Sequence, residues 1–101
     1  MAKRQLKPVH PGEILSEEYM NPLGISMHRL AQGLRVPATR IGDIVHGRRG
    51  ITPDTALRLA LYFDTSARYW MNLQSDYDLA VAAERELERI KRDVRPLEVP
   101  A

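Results

Sequence analysis

The sequence contains no cysteine and no long run of apolar residues. Without cysteine, the chain can have neither a disulfide framework nor a thiolate zinc site, which fits a reducing cytoplasm. No segment approaches the roughly 20 apolar residues that a membrane-spanning helix requires. The basic N-terminus is not followed by the apolar stretch of a signal peptide. We therefore expect a soluble, cytoplasmic protein with no membrane partner.

The sequence also lacks the patterns that metal binding and catalysis require. His10, His28 and His46 lie in separate segments, and their spacing is not that of a metal site. There is no glycine-rich phosphate loop, and no set of nucleophile, base and orienting residue is recognisable. We therefore expect a protein that is not an enzyme and has no metal, no cofactor and no small-molecule substrate.

The length and charge of the chain favour a single domain with one basic side. A chain of 101 residues, 44% of them hydrophobic, is suited to one compact core. Residues 1–50 contain eight lysines and arginines against four acidic residues, whereas residues 51–101 contain seven against nine. The basic half is therefore the candidate DNA surface, although ordinary surface variation would also produce such a split.

Start and stop signals divide the chain into five helices, and no alternating pattern of a β-strand is present. The first helix is expected to end within residues 21–24, because the residue before Pro22 avoids the α region and Gly24 suits a turn. A third helix should end at His46 and Gly47. The five start signals, in chain order, are Pro11, Ser26, Pro37, Thr52 with Pro53, and Ser66.

The fifth helix is expected to be unusually long, from residue 67 to about residue 92. No Pro or Gly interrupts this stretch, which would span roughly 39 Å at the standard rise per residue. Its distal end should therefore project from the domain or meet a partner, unless it is a frayed, charged tail. Trp70, Leu73, Tyr77, Ala80 and Ala83 are expected to cover the core, and Leu87 and Ile90 continue the same stripe.

The expected organisation has a folded middle between two short extensions. Residues 1–8 form a flexible basic arm with Lys3, Arg4 and Lys7. Residues 9–93 form the folded domain, with a helix-turn-helix at 26–46 and the long helix at 67–92. Residues 94–101 form a C-terminal tail.

The segment from Ser26 to His46 has the spacing of a helix-turn-helix. Ala31 provides the small residue where two helices cross, and Val36 lies five residues later, where the turn contacts the core. Ile41 and Ile44 anchor the second helix. An arbitrary pair of helices would rarely meet all four conditions, so this segment is the candidate for DNA recognition.

The second helix of this pair is expected to contact bases in the major groove. Ala38 and Thr39 can offer methyl groups to thymine, and Arg40 can donate to guanine or to phosphate. Asp43 can accept from the amine of cytosine, or it can pair with Arg40 or Arg48 and contact no DNA. The outward residues of the helix are Pro37, Ala38, Thr39, Arg40, Gly42, Asp43 and His46.

Residues beside this helix are candidates for contacts with phosphate. Arg48 and Arg49 lie between two glycines, so they can follow the DNA backbone, although a solvated turn would have a similar sequence. Ser26 can direct the N–H groups of a helix start towards a phosphate, or it can be a helix cap alone.

Five segments resemble a known family of antitoxins. They are residues 10–15 (HPGEIL), 22–26 (PLGIS), 47–49 (GRR) with Ile51 and Thr52, 56–60 (ALRLA), and 70–74 (WMNLQ). Together they resemble HigA-type antitoxins, which belong to the Cro/cI or XRE-type helix-turn-helix proteins. The resemblance covers about residues 8–80. It implies an all-α, five-helix, λ-repressor-like DNA-binding domain with a long C-terminal helix.

The resemblance also implies a biological role in a bacterial cytoplasm. HigA-like proteins neutralise a HigB-like toxin, a ribosome-dependent messenger-RNA endonuclease, and as homodimers they repress their own operon. Two recognition helices one DNA turn apart need a twofold axis, and the long helix is the candidate place for it. One departure is Arg35, since this turn often has glycine there. The candidate residues of the dimer interface are Tyr77, Val81, Leu87 and Ile90.

Two other functions remain open at this point. The chain could be a phage-type or metabolic helix-turn-helix repressor that has no toxin partner. It could also neutralise a toxin without binding DNA.

Overall fold

The computed structural model describes residues 7–100, so Lys3 and Arg4 of the expected basic arm lie outside the described residues. Within residues 7–100 the chain forms five helices and no β-strand, which confirms the predicted all-α class. The first helix, α1, consists of three consecutive segments, Pro11–Ile14, Leu15–Met20 and Asn21–Leu23. The other helices are α2 (Met27–Leu34), α3 (Ala38–Val45), α4 (Pro53–Phe63) and α5 (Ala67–Asp93).

Helix α1 differs from the expected regular helix in its middle segment, which is a π-helix. Asn21 was expected to leave the α region because it precedes a proline, but its φ of −62° and ψ of −48° are helical. The Asn21 N–H donates to the carbonyl oxygen of Ser16, five residues earlier. This wider turn relieves the usual conflict between a proline ring and the carbonyl four residues before it. The helix ends as expected at Gly24, which has a φ of +65°.

Side-chain caps begin four of the five helices. The imidazole Nδ1 of His10 accepts a hydrogen bond of 2.9 Å from the Gly12 N–H at the start of α1. Before α2, α4 and α5, a hydroxyl oxygen accepts from the N–H three residues later, which satisfies one otherwise unpaired donor of each helix. These capping residues are Ser26, Thr52 and Ser66.

The core lies between α1, α2, α3, α4 and the first part of α5. Its centre is Trp70, which is fully buried and whose Nε1 donates a 2.8 Å hydrogen bond to the Thr65 hydroxyl. Tyr19 of α1 packs on this indole with 4.9 Å between ring centroids. The other large, fully buried apolar side chains are Leu15, Leu30, Ile41, Ile44 and Leu59.

Helix α5 belongs to the core only over its first half. Its early residues pack on α4 and α1, but Ala80 and Ala83, which were expected to cover the core, are exposed. A straight helix of 27 residues extends beyond so small a domain, and every residue from 82 to 100 is exposed. The described chain measures 57 × 31 × 23 Å as a result. No helix within residues 7–100 is both long and apolar enough to cross a membrane.

Candidate nucleic-acid interface

The turn between α2 and α3 has the geometry of a helix-turn-helix. Val36 is half-buried, and its N–H donates to the carbonyl oxygen of Ala31 at 3.1 Å. Arg35, which ends α2, has a φ of +61°. Gly33 remains inside α2, so the turn has not shifted to place glycine in the left-handed position. A non-glycine residue there costs on the order of 1 kcal/mol.

Helix α3 has one buried side and one accessible side. Ile41 and Ile44 are fully buried, as predicted, and fix the rotation of the helix. Pro37 was expected to be the first helical residue, but its ψ of 144° is extended and the helix begins at Ala38. Of the residues expected to face outward, Pro37, Ala38, Thr39 and His46 are exposed, and Arg40, Gly42 and Asp43 are half-buried.

Asp43 forms an ion pair with Arg48, one of the alternatives that the sequence left open. Its Oδ1 lies 3.2 Å from the Arg48 Nε. Its backbone carbonyl also accepts from the N–H groups of Arg48 and Arg49, at 2.7 and 3.2 Å. The side-chain pair is partly exposed and contributes roughly 0–1 kcal/mol, so DNA can displace it at little cost.

Arg40 takes part in an ion-pair network that sequence reasoning missed. Its Nη1 lies 3.1 Å from Asp54 Oδ2, and the same oxygen accepts from the Arg58 Nε at 2.9 Å. Arg58 also donates to the Leu34 carbonyl at the end of α2. The hydrogen bond from Arg58, together with Arg40, lowers the pKa of the Asp54 carboxyl below its ordinary value. The network therefore links α2, α3 and α4 behind the exposed face.

His46 is exposed at the end of α3, with one ring nitrogen already occupied. Its Nδ1 lies 2.8 Å from the Gly42 carbonyl oxygen, which can only accept. The Nδ1 must therefore carry a proton, and in the neutral ring Nε2 is an acceptor. Such an acceptor can take a hydrogen bond from an exocyclic base amine.

The residues expected to contact phosphate lie at the start of α2 and after α3. The Ser26 hydroxyl caps α2 by accepting from the Arg29 N–H at 3.0 Å. Arg48 and Arg49 are exposed in the loop after α3, and among the ion pairs within residues 7–100 none involves Arg49. No cluster of metal-binding side chains occurs in that described part of the chain.

The residues expected at the dimer interface are divided between the core and solvent. Tyr77 is half-buried, and its ring meets the edge of the His10 imidazole with 4.8 Å between centroids. Val81 is half-buried as well. Leu87 and Ile90 are 41% and 40% exposed. Tyr77 therefore already has a partner within the chain, whereas the two distal residues present an apolar surface to solvent.

A short exposed helix after a tight turn, held on a five-helix core and followed by two exposed arginines, defines a DNA-binding protein of the helix-turn-helix class. Comparison with known proteins agrees. The helix-turn-helix family model matches residues 17–70.

Similarity to individual proteins identifies the family of this chain more narrowly. It is 52% identical over 80 residues to virulence-associated protein I of Dichelobacter nodosus, covering 79% of this chain and 74% of that protein. It is 31% identical over 97 residues to antitoxin HigA-1 of Vibrio cholerae, covering 96% and 90%. The structure of antitoxin HigA of Pseudomonas aeruginosa with the higBA promoter matches with a TM-score of 0.88 and 48% identity, covering 90% of this chain and 99% of that one. The chain belongs to the XRE-type helix-turn-helix family and, within it, to the HigA-type proteins.

Proposed function

We propose that this protein is an antitoxin that binds the operator of its own operon as a homodimer, represses transcription and neutralises a HigB-like messenger-RNA endonuclease. The observation that carries the proposal is the accessible face of α3, which is followed directly by the exposed Arg48–Arg49 loop. The same fold in the Pseudomonas aeruginosa HigA structure is seen with a promoter. The protein itself acts by binding, with no catalytic step, in the bacterial cytoplasm.

The proposed DNA contact places α3 in the major groove. Ala38 and Thr39, near its start, are exposed and can contact thymine methyl groups, and the Thr39 hydroxyl can form a hydrogen bond. Asp43 can accept a hydrogen bond from the amine of cytosine if Arg48 leaves its ion pair with Asp43 and binds a phosphate instead. Arg40 is held by Asp54 in the free protein, so any contact that it makes with DNA has to displace that ion pair.

The proposed phosphate contacts supply affinity without sequence preference. Each guanidinium that neutralises a phosphate releases counterions, so binding weakens steeply as salt is added. Arg48 and Arg49 are suited to this role because both are exposed. Ser26 adds the N–H groups at the start of α2, where the helix dipole favours an anion.

The proposed dimer uses the distal half of α5, residues 82–93. Half-sites one turn of DNA apart are related by a twofold axis, and roughly 34 Å separates the two recognition helices. A projecting helix with Leu87 and Ile90 exposed on one side can pair with its copy around such an axis. The surface that contacts the toxin would then lie elsewhere on the dimer.

The first experiment compares two double substitutions that remove the same charge. Arg48→Ala with Arg49→Ala should weaken binding to every DNA sequence and flatten the dependence of affinity on salt. Each lost phosphate contact should reduce the slope of log K against log salt by about 0.9. Arg85→Ala with Arg92→Ala is the matched control, because these two exposed arginines lie on the side of α5 opposite Leu87 and Ile90. The measurement is fluorescence anisotropy with the DNA upstream of the gene, at several salt concentrations.

The outcomes separate the parts of the proposal. Equal salt slopes for wild type and the loop variant would contradict the phosphate contacts, and absence of any DNA complex at low salt would contradict repression. Co-expression with the adjacent reading frame tests the antitoxin role. A stable complex with a small basic protein is expected, and its absence alongside tight operator binding would indicate a repressor without a toxin.

A further inference from the structure

The loop after α3 is held by a side chain of the long helix, Gln74. The amide oxygen of Gln74 accepts a 2.7 Å hydrogen bond from the Ile51 N–H, where the loop ends. Its amide nitrogen donates to the Asp78 carboxylate at 2.9 Å. Because the Ile51 N–H can only donate and the carboxylate can only accept, the two partners determine which way the amide faces.

The loop backbone lies directly against this amide. A Cβ at Gly50 would come within 2.9 Å of both the oxygen and the nitrogen of the Gln74 amide. Gly50 therefore allows a close approach that a side chain would prevent. The contact joins residues 23 positions apart and is partly buried, so it is shielded from competing water.

The other end of the loop is held by α3. The Asp43 carbonyl accepts from the N–H groups of both Arg48 and Arg49. The two arginines therefore lie between one attachment on α3 and another on α5. Their backbone is fixed at both ends, while their side chains are exposed.

We propose that Gln74 is a positioning residue for DNA binding, which holds the loop so that Arg48 and Arg49 reach the phosphates without further ordering. The proposal depends on the proposed function, since it assumes that this loop contacts DNA. Ordering a flexible segment on binding costs free energy that a preformed loop avoids. Removing Gln74 should therefore reduce affinity for all DNA sequences alike, because the contacts concerned carry no sequence information.

The test uses substitutions that remove the Gln74–Asp78 pair, disrupt it, or restore it with donor and acceptor exchanged. Gln74→Ala removes both hydrogen bonds. Gln74→Glu keeps an acceptor for the Ile51 N–H but places two carboxylates together. Adding Asp78→Asn to Gln74→Glu restores the pair with its polarity reversed, because the asparagine amide can donate to the glutamate. Asn72→Ala, at an exposed position of the same helix, is the matched control.

Two measurements are needed on the full-length protein. Amide hydrogen exchange of Ile51 and Arg49 without DNA reports how firmly the loop is held. Anisotropy titrations with operator DNA and with an unrelated duplex report affinity. We expect Gln74→Ala and Gln74→Glu to lose protection at Ile51 and to bind both duplexes roughly 3–10-fold more weakly, a difference of about 0.7–1.4 kcal/mol. The double variant should recover both properties, and Asn72→Ala should change neither.

The outcomes distinguish this proposal from the proposed function. If wild type binds operator and Gln74→Ala binds equally well, the positioning role is wrong and the repressor role stands. If the double variant regains protection at Ile51 but not affinity, the held loop does not account for DNA binding, and the positioning role is wrong. If wild type binds no DNA, the proposed function fails, and the positioning role fails with it.

Discussion

The two helical segments that carry the proposed contacts, α3 and the distal half of α5 (residues 82–93), are stabilised in opposite ways. Helix α3 has eight residues and would be unstable alone, but Ile41 and Ile44 anchor it in the core. The distal half of α5 has no buried residue. Its charged contacts within the helix are Arg89 with Glu86 and Asp93, and Lys91 with Glu88.

This difference assigns a different kind of role to each segment. The shape of the α3 face depends on the whole core, so the positions of its exposed side chains are determined before DNA binds. Distal α5 depends on local ion pairs of roughly 0.3–0.5 kcal/mol each. Its apolar residues Leu87 and Ile90 are exposed. The first segment is therefore suited to a rigid template, and the second to association with another chain.

The largest expected effect compares one residue from each segment. Ile44→Ala should reduce the free energy of unfolding by roughly 2–5 kcal/mol, because it leaves a cavity in the core. Leu87→Ala should change it by less than about 0.5 kcal/mol when the chain is monomeric, since Leu87 contributes little to the core. Urea denaturation at low protein concentration measures both. Equal losses would show that distal α5 packs on the core after all.

The second effect concerns assembly. Leu87→Asp with Ile90→Asp should abolish the proposed dimer, because four carboxylates, two from each chain, cannot be buried in a symmetric apolar contact. Operator affinity should then fall by roughly 10²-fold, as each recognition helix would bind alone. Sedimentation and anisotropy check the two results. Leu97→Asp with Val99→Asp adds the same charge beyond the helix and should leave the dimer intact, and a dimer in both variants would place the interface elsewhere.

The smallest expected effect concerns His10, whose ring lies against Tyr77 in the core half of α5. Burial lowers the pKa of His10 below 6.5, although the nearby Asp78 charge opposes this. The neutral ring is also needed to cap α1, since Nδ1 accepts from Gly12. This contribution to stability should therefore be fully present above pH 6.5 and decline as pH falls through the folded-state pKa.

His10→Asn isolates this contribution, because asparagine caps helices without titrating near neutral pH. The difference in unfolding free energy between wild type and this variant should narrow or reverse from pH 8 to pH 5. Protonation of Asp54, whose pKa is lowered, affects the free energy of unfolding only below pH 3.8, which lies outside this range. A difference that does not change with pH would show that the cap tolerates protonation.

Much of the fold could be predicted because its signals are local. Ser26, Thr52 and Ser66 cap helices through bonds to residues three positions away, so each start can be recognised in a short window of sequence. The buried positions Ile41 and Ile44 follow from helical periodicity. The π-helical segment of α1 escaped prediction because no short pattern distinguishes it from a regular helix.

The contacts that hold the candidate interface could not be predicted in the same way. The Asp54–Arg58 spacing suggests a local ion pair, but nothing in that spacing indicates that Arg40 joins it from α3. No pattern in the sequence indicates a contact for the side chain of Gln74. Its bond to Ile51 spans 23 residues and exists only once α5 has packed beside the loop.

The sequence by itself determined that this protein is built from five helices, that residues 26–46 contain the helix-turn-helix, and that α3 has Ile41 and Ile44 on its inner side. These features depend on caps and periodicity, which act over one or two turns of helix. Only the tertiary structure decided that Asp43 pairs with Arg48, that Arg40 is held by Asp54, and that Gln74 fixes the loop. Such pairings depend on the distance between side chains after packing, which neighbouring residues in the sequence do not encode.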